Sequence, residues 1–266
     1  MPTVCLHDKA AIAAFLRRSP YLHLYTLGDL DDFFWPYTTW YGLTDAAQQL
    51  RQVVLVYTAS LPPTLLALAD ETPDSMRELL GSLLPLLPRQ LHAHVSGQLA
   101  EVFHSDYTIQ SFGPHYKMAL LDLSRLRAFE PAGIEQLTAA DLPQIRELYQ
   151  ASYPGNWFDP RMLATGFYYG ARRDNKLVSI AGVHVYSQEY NAAAIGNVTT
   201  LPELRGQGLG TAVCARLCQA LLRSVSYVGL NVKVDNHSAI RAYERLGFQR
   251  IASYEECGLA LKTGTS

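Results

Sequence analysis

Residues 206–210 carry glycine at every second position, at the point where a predicted strand gives way to a predicted helix. Before them, the β-branched residues 198–200 favour extended backbone, and Pro202 ends the strand. After them, apolar residues recur at helical spacing over 211–222. The chain must therefore turn sharply from strand to helix, and the glycines leave the first N–H groups of that helix uncovered.

These uncovered N–H groups form a candidate anion site. The first N–H groups of a helix lack intrahelical partners and lie at the positive end of the helix dipole. Arg205, directly before the glycines, is unfavourable there unless a multiply charged anion binds. A tight turn that uses glycine only for positive φ is the structural alternative. Neither a P-loop ending nor the dinucleotide fingerprint G-x-G-x-x-G is present, so the segment indicates the pyrophosphate of another nucleotide-bearing cofactor.

Two ordered motifs carry a family resemblance. Residues 205–210 resemble the pyrophosphate loop of the GNAT N-acetyltransferase superfamily, Arg/Gln-x-x-Gly-x-Gly/Ala. Residues 230–248 resemble the superfamily's strand, its Asn-x-x-Ala-x-x-x-Tyr helix and its Gly-Phe turn. The two motifs follow each other at about the usual distance, and the close resemblance covers roughly residues 133–262. The nearest resemblance is to two-domain members of the FR type and the glycine N-acyltransferase-like type.

The predicted element order occurs twice along the chain. We therefore predict an α/β (α+β) fold with tandem GNAT-like domains, each a mixed, mostly antiparallel twisted sheet flanked by helices. A degenerate N-terminal domain would span 1–125 and a catalytic domain 131–266, with a linker near 123–132. We also predict a helix over 20–33. Strand pairs are predicted at 107–112 and 116–122, and at 248–255 and 257–262.

The first half lacks the glycine loop. At the corresponding place, residues 69–76 hold no glycine but three carboxylates, those of Asp70, Glu71 and Asp74. Carboxylates would repel a pyrophosphate. We therefore expect one cofactor per chain.

The resemblance implies acetyl-CoA (coenzyme A) as the cofactor and no metal. In the family, the strand before the loop splays away from its neighbouring strand, and its backbone amides contact the thioester carbonyl and the pantetheine arm, a role that falls here on 198–200. The residues that the resemblance places against the cofactor are Val198, Thr199, Thr200, Arg205, Gly206, Gln207, Gly208, Leu209, Gly210, Thr211, Asn231, Asn236, Ala239 and Tyr243.

Two of these residues also have predicted catalytic roles. Tyr243 is the implied general acid, because a phenol of pKa about 10 can protonate a thiolate whose thiol has a pKa of about 8.5. Its structural alternative is an aromatic on the buried face of the helix, with Ala239 and Leu246. Asn236 can cap this helix and bind the pantetheine arm at the same time.

The general base is less clearly marked. Many members of the family place a glutamate on the strand before the loop, but residues 194–197 contain no carboxylate. His184, on the adjacent predicted strand, is the candidate base because its unperturbed pKa lies near 6.5. A hydrogen-bonded core histidine is the alternative. Glu189 and Tyr190, in the predicted hairpin turn, are weaker candidates.

The predicted function is acetyl-CoA-dependent transfer of an acetyl (acyl) group directly to a primary amine of a small-molecule or amino-acid-like acceptor. The missing carboxylate motivates an alternative, a catalytically weak acyl-CoA-binding regulatory module. We expect the acceptor pocket to use residues 152–158. It can also draw on 29–37, where three acids and four aromatics suit an amine or cation. The alternative for this segment is a solvated helix end with its aromatics turned into the domain interface.

Composition and charge limit the classes of partner that the chain is expected to bind. A net charge of −2 and a pI near 6.4 give no basic surface for nucleic acid. No apolar run of membrane-spanning length and no signal-like N-terminus occur, so we expect a cytoplasmic protein without a membrane partner, as a monomer or homodimer. The four cysteines form no C-x-x-C pair and are expected to be reduced thiols.

Overall fold

The computed structural model describes residues 1–69 and 73–262. The chain divides into two compact units. The first unit comprises Met1–Lys117, Lys233–Asp235 and the residues from Ile251 onward, and the second comprises Met118–Val232 and Asn236–Arg250. These limits differ from the predicted domains because the C-terminal strand counts with the first unit. Asp70 and Glu71, predicted to face a pyrophosphate, lie outside the described residues.

Each unit combines a mixed, mostly antiparallel sheet with α-helices, which confirms the predicted α/β class. The strands are β1 (Thr3–Leu6), β2 (Thr38–Thr44), β3 (Leu50–Tyr57), β4 (Thr64–Ala67), β5 (Gln90–Val95), β6 (Tyr107–Leu120), β7 (Ile134–Gln136), β8 (Tyr169–Arg173), β9 (Lys176–Ser187), β10 (Ala192–Thr200), β11 (Tyr227–Lys233) and β12 (Phe248–Leu261). The α-helices are α1 (Lys9–Leu16), α2 (Leu24–Gly28), α3 (Pro73–Leu83), α4 (Leu123–Arg127), α5 (Leu142–Ser152), α6 (Leu209–Leu221) and α7 (His237–Arg245).

The first unit is built on a sheet with the strand order β1-β2-β3-β4-β5-β12-β6. Its β4–β5 pair is parallel, and the pairs β1–β2, β2–β3, β3–β4 and β5–β12 are antiparallel. Helix α3 buries Met76, Leu79, Leu80 and Leu83, whose i, i+3, i+4, i+7 spacing forms one apolar face. Burial of each such side chain contributes about 1.5–3 kcal/mol. These residues form one core with side chains from β2, β3, β4 and β5.

Strands β4 and β5 of the first unit stay paired to their ends. Their register runs from Thr64 opposite His92 to Ala67 opposite Val95. Beyond it, the Ser96 N–H donates to the Ala67 carbonyl at 3.2 Å, and the Ala69 N–H donates to Ser96 Oγ at 3.1 Å. No gap therefore opens between these parallel strands.

The second unit has the strand order β11-β10-β9-β8-β7. Here β10–β11 is the parallel pair, while β7–β8, β8–β9 and β9–β10 are antiparallel. Helix α6 buries Val213, Leu217 and Leu221, as the predicted apolar stripe requires. Helix α5 buries Ile145, Leu148 and Tyr149. Both helices pack on β9 and β10 and frame the point where β10 ends.

Several predicted elements were wrong. The predicted pairs at 107–122 and 248–262 are the single strands β6 and β12. Gly113 takes φ +89°, and the Pro114 carbonyl accepts a hydrogen bond from the Val234 N–H at 3.0 Å, so β6 passes both residues without ending. The predicted linker contains α4, because Asp122 caps it through the Ser124 N–H and Leu126 is buried. The predicted helix over 20–33 shortens to α2.

No helix in the described residues is both long enough and apolar enough to cross a membrane. The four cysteines are free thiols, and burial raises the pKa of the Cys214 thiol to about 12.

Candidate active site

Strands β10 and β11 separate halfway along their length. Their parallel register covers only Ala192–Ile195 opposite Tyr227–Leu230. Beyond this point β10 continues to Thr200 and β11 to Lys233. The register pairs Ile195 with Leu230 last, so alongside 196–200 the two strands are not held at the paired spacing of about 4.8 Å. This is the separation that the family resemblance implies, and Asn231 is the first β11 residue beyond the last pair.

Two register shifts accompany the separation. On β9, His184 is the extra residue between the partners of Ala194 and Ile195. On β10, one extra residue lies between Gly196 and Thr199, and Asn197 takes the left-handed φ of +53°. Bulges of this kind re-aim side chains and end pairing. The bulges accompany the close approach of the His184 ring to the β10 backbone at Gly196.

The left-handed residue Asn197 is the centre of a buried hydrogen-bond network. The Tyr149 hydroxyl donates to the Asn197 carbonyl at 3.0 Å. The Asn197 amide donates to the Tyr168 hydroxyl at 3.1 Å, and that hydroxyl donates to the Val183 carbonyl at 3.0 Å. Asn156 donates to the Asn197 side-chain oxygen at 3.3 Å. Burial raises the pKa of both tyrosines, so their hydroxyls stay protonated and can donate.

Sequence reasoning missed this network. An asparagine flanked by β-branched and small residues in an otherwise apolar strand was the available signal, because asparagine tolerates left-handed backbone better than most residues. Tyr149 and Tyr168 gave no signal, since only the fold brings them to β10.

The imidazole of His184 lies over Gly196. A Cβ built on Gly196 would come within 3.0 Å of three atoms of this ring. The ring also faces Trp157, with the centroids 5.8 Å apart. Burial lowers the pKa of His184 to about 4, which keeps the imidazole neutral near pH 7. The ring can therefore accept a proton, although it is a weak base, and it fills the space where a side chain at position 196 would lie.

The glycine loop makes the predicted strand-to-helix turn and shows the positive φ values of the structural alternative. After a 3₁₀ helix at Pro202–Leu204, Gly206 and Gly208 take φ of +77° and +84°, and α6 begins at Leu209. A Cβ built on either glycine meets nothing within 4 Å among the described residues, and the N-cap residue of α6 is Gly208, which has no side chain to cap the helix. Gly210 lies in the first turn of α6, so the helix starts earlier than predicted. The loop thus places the positive end of the α6 dipole beside open space in which an anion can bind.

Arg205 has a structural role that the sequence did not reveal. Its guanidinium donates to the carbonyls of Thr200 and Ser152, each at 3.2 Å, and so fastens the loop to the ends of β10 and α5. Thr199 Oγ1 lies 3.0 Å from Ser152 Oγ, and Thr200 Oγ1 lies 2.8 Å from Ser179 Oγ. The hydroxyls of Thr199 and Thr200 are thus hydrogen-bonded to serine hydroxyls. A ligand at this end of β10 would therefore contact backbone groups rather than these side chains.

Helix α7 begins as predicted. The Asn236 side chain caps it, accepting from the Ala239 N–H at 3.2 Å and from the Ser238 hydroxyl at 3.1 Å. Tyr243 lies on the buried face, with Ile240 beside it and its ring edge-on to Phe248 at 5.8 Å. The structural roles proposed for both residues are therefore present, and their catalytic roles stay predictions.

Of the other predicted site residues, those of the acceptor segment lie beside His184 and those of the hairpin turn do not. Trp157 and Tyr153 are 37% and 46% exposed, so the predicted acceptor segment 152–158 presents aromatic surface beside His184. Glu189 and Tyr190 lie in the turn at the opposite end of β10 from Thr200, and the structure does not bring them to the site.

The segment 29–37 belongs to the first unit and is not simply a solvated helix end. Asp29 is buried, and burial raises the pKa of its carboxyl to about 8. Asp31 accepts from the Phe33 N–H, and Asp32 pairs with Lys9. Two of its three acids therefore have local structural partners.

Comparison with known proteins agrees with this geometry. Residues 134–248 match the acetyltransferase (GNAT) family. N-alpha-acetyltransferase RimI of Mycobacterium tuberculosis is 33% identical over 135 residues, which cover 46% of this chain and 81% of that protein. Mycothiol acetyltransferase of Rhodococcus jostii is 36% identical over 98 residues, 35% of this chain. This match spans 32% of the mycothiol acetyltransferase, about a third of its length.

A solved structure shows the same tandem fold. It is a tandem GNAT protein from the clavulanic acid biosynthesis pathway, with a TM-score of 0.57 at 16% identity over 100% of this chain and 99% of that one. At this identity the likeness concerns the fold alone.

Proposed function

The chain belongs to the GNAT acetyltransferase family, and we propose that it is an acetyl-CoA-dependent N-acetyltransferase acting on a primary amine of a small-molecule or amino-acid-like acceptor. One observation carries the proposal: the pairing of β10 with β11 ends after Ile195 and Leu230, and β10 then leads into an open glycine loop and a helix whose N-cap residue is Gly208. A gap lined by backbone groups suits a pantetheine arm, and the helix N-terminus suits a pyrophosphate.

The residues present fit coenzyme A. We assign the pyrophosphate to the backbone of Gly206–Thr211, including Gln207 and Leu209, with Arg205 adding positive charge. The backbone of 198–200, together with Asn231, Asn236 and Ala239, would hold the pantetheine arm. The supporting observation is that a Cβ at Gly206 or Gly208 meets nothing within 4 Å, so space for an anion exists beside the N–H groups.

Bound acetyl-CoA would supply an acetyl group on a thioester carbonyl. The N–H of Val198 is the donor that we assign to the developing oxyanion. His184 would take the proton of the amine while the C–N bond forms, and Tyr243 would protonate the sulfur as the C–S bond breaks. Since burial lowers the pKa of His184 to about 4, its contribution is modest and the acceptor must arrive largely as the free amine.

One cofactor per chain is expected. In the first unit, β4 and β5 remain hydrogen-bonded through Ala67 and Ser96, so the gap that the proposal requires is missing there. Isothermal titration calorimetry with coenzyme A should give a stoichiometry of one. Two equivalent sites would refute the assignment of the first unit as degenerate.

The acceptor is tested by release of free thiol from acetyl-CoA across a panel of amines. The relatives' names add two acceptors to the small amines and amino acids: a peptide with a free α-amine, as for N-alpha-acetyltransferase RimI, and a mycothiol-type acceptor. Amine-dependent thiol release supports the enzyme. Coenzyme A binding without release for any amine supports the alternative, an acyl-CoA-binding regulatory module, which the missing strand carboxylate and the weakly basic His184 favour.

A further inference from the structure

We propose that Tyr149 and Asn197 are positioning residues that hold the peptide group between Asn197 and Val198, so that the Val198 N–H is presented to the thioester carbonyl oxygen of acetyl-CoA. The inference rests on the proposed function and assigns roles to two side chains that the sequence motifs do not include.

The peptide group in question lies in a bulge of the sheet ladder. Gly196 is registered against Gly182 and Thr199 against Ile180, so two β10 residues, Asn197 and Val198, oppose the single β9 residue Ala181. A bulge disrupts the regular ladder locally, so regular strand pairing does not set the orientation of this peptide. A contact from outside the ladder can hold it in place, as a preorganised donor requires.

Tyr149 supplies that contact. Its hydroxyl donates to the Asn197 carbonyl at 3.0 Å. This carbonyl and the Val198 N–H belong to one planar trans peptide, so they point in opposite directions. By holding the carbonyl, Tyr149 turns the Val198 N–H away from α5. Tyr149 is 4% exposed, so water competes little for the bond.

The Asn197 side chain supplies the second constraint. Its φ of +53° is a conformation that asparagine and glycine adopt most readily. Its carboxamide donates to Tyr168 and accepts from Asn156, at 3.1 and 3.3 Å. Glycine could take the same φ but could not make these two bonds. Asn197→Gly therefore separates the contribution of the side chain from that of the left-handed backbone.

The test uses acetyl-CoA labelled with ¹³C at the thioester carbonyl and bound to the full chain. A hydrogen bond to this carbonyl lowers its stretching frequency in infrared difference spectra. In the wild type we expect a lowered frequency. In Tyr149→Phe and Asn197→Gly we expect at least half of that shift to be lost, while the Kd for acetyl-CoA changes by less than about threefold. With an acceptor found in the panel, kcat should fall about 10- to 100-fold at nearly constant KM for acetyl-CoA, because loss of an oxyanion donor costs about 10²–10³.

Tyr107→Phe is the matched control. Tyr107 lies in the first unit, is 1% exposed, and its hydroxyl donates to the Pro88 carbonyl at 3.1 Å. Both substitutions thus delete a buried hydroxyl bonded to a main-chain carbonyl, and both should lower thermal stability to a similar degree. Only Tyr149→Phe should change the infrared signature.

Two failures can be told apart. If the wild type shows the shifted carbonyl and both variants keep it, the positioning role is refuted while the proposed function stands. If the wild type does not bind acetyl-CoA, the proposed function itself fails, and the inference fails with it. Asn197→Gly keeps the test valid if Tyr149→Phe does not fold.

Discussion

Substituting Gly196 by alanine should act through His184. The backbone at Gly196 has no positive φ, so alanine is allowed locally, but its Cβ would come within 3.0 Å of Cγ, Cδ2 and Nε2 of the imidazole. The ring must move away from position 196, which disturbs its contact with Trp157, and overpacking of this kind costs about 1–3 kcal/mol. In a chain that also carries His184→Ala, the clash is gone. In that chain, Gly196→Ala should stabilise the folded protein by about 0.4–1 kcal/mol, because alanine lowers the conformational entropy of the unfolded chain.

The assay is a double-mutant cycle on the free energy of unfolding in urea. We expect Gly196→Ala to destabilise the wild type and to be neutral or stabilising in the His184→Ala chain, a coupling of at least about 1 kcal/mol. Gly81→Ala in α3 is the control, because a Cβ there meets nothing within 4 Å and alanine favours a helix. An equal cost of Gly196→Ala in both backgrounds would refute the reasoning.

The remaining predictions concern the cofactor and pH. Gly208→Glu should abolish coenzyme A binding in calorimetry while the circular dichroism spectrum stays that of a folded protein; unchanged affinity would remove the loop from the site. Tyr243→Phe should lower kcat more than it raises the Kd for coenzyme A, and an unaltered rate would end its role as the acid. Because burial lowers the pKa of His184 to about 4 from an unfolded value near 6.5, the unfolded state binds more protons between these pH values. Stability should therefore fall as pH drops from 6.5 toward 4, less steeply in His184→Gln; parallel urea-midpoint curves would contradict this.

The sequence predicted the local conformation of the glycine loop and of helix α7 well. Positive φ at Gly206 and Gly208, the cap at Asn236 and the buried face of α7 follow from local rules, because each depends on residues within one turn. Helix α6 begins at Leu209, before its predicted start at Thr211, because Gly210 belongs to the helix. Local rules place such boundaries less well than the elements themselves.

The sequence could not predict contacts made across the fold. Asn197, Tyr149 and Tyr168 come together only because α5, β8 and β10 pack, and the pairing of Gly196 with the His184 ring depends on a register shift between two strands. His184, the candidate base, lies in a buried environment that lowers its pKa and so makes it a weaker base. The His184 ring also fills the space that any side chain at position 196 would need.

The placement of β12 has a consequence for how the chain folds as it is made. Nearly all of the first unit precedes Met118, yet its sheet order inserts β12 between β5 and β6, with Glu255–Ala260 registered against β5. Until residues 251–261 have been synthesised, the β5 edge that will receive them stays unpaired. The first unit is therefore the earlier in sequence but cannot be completed before the second has been translated. Its exposed strand edge is open to wrong pairing during that interval.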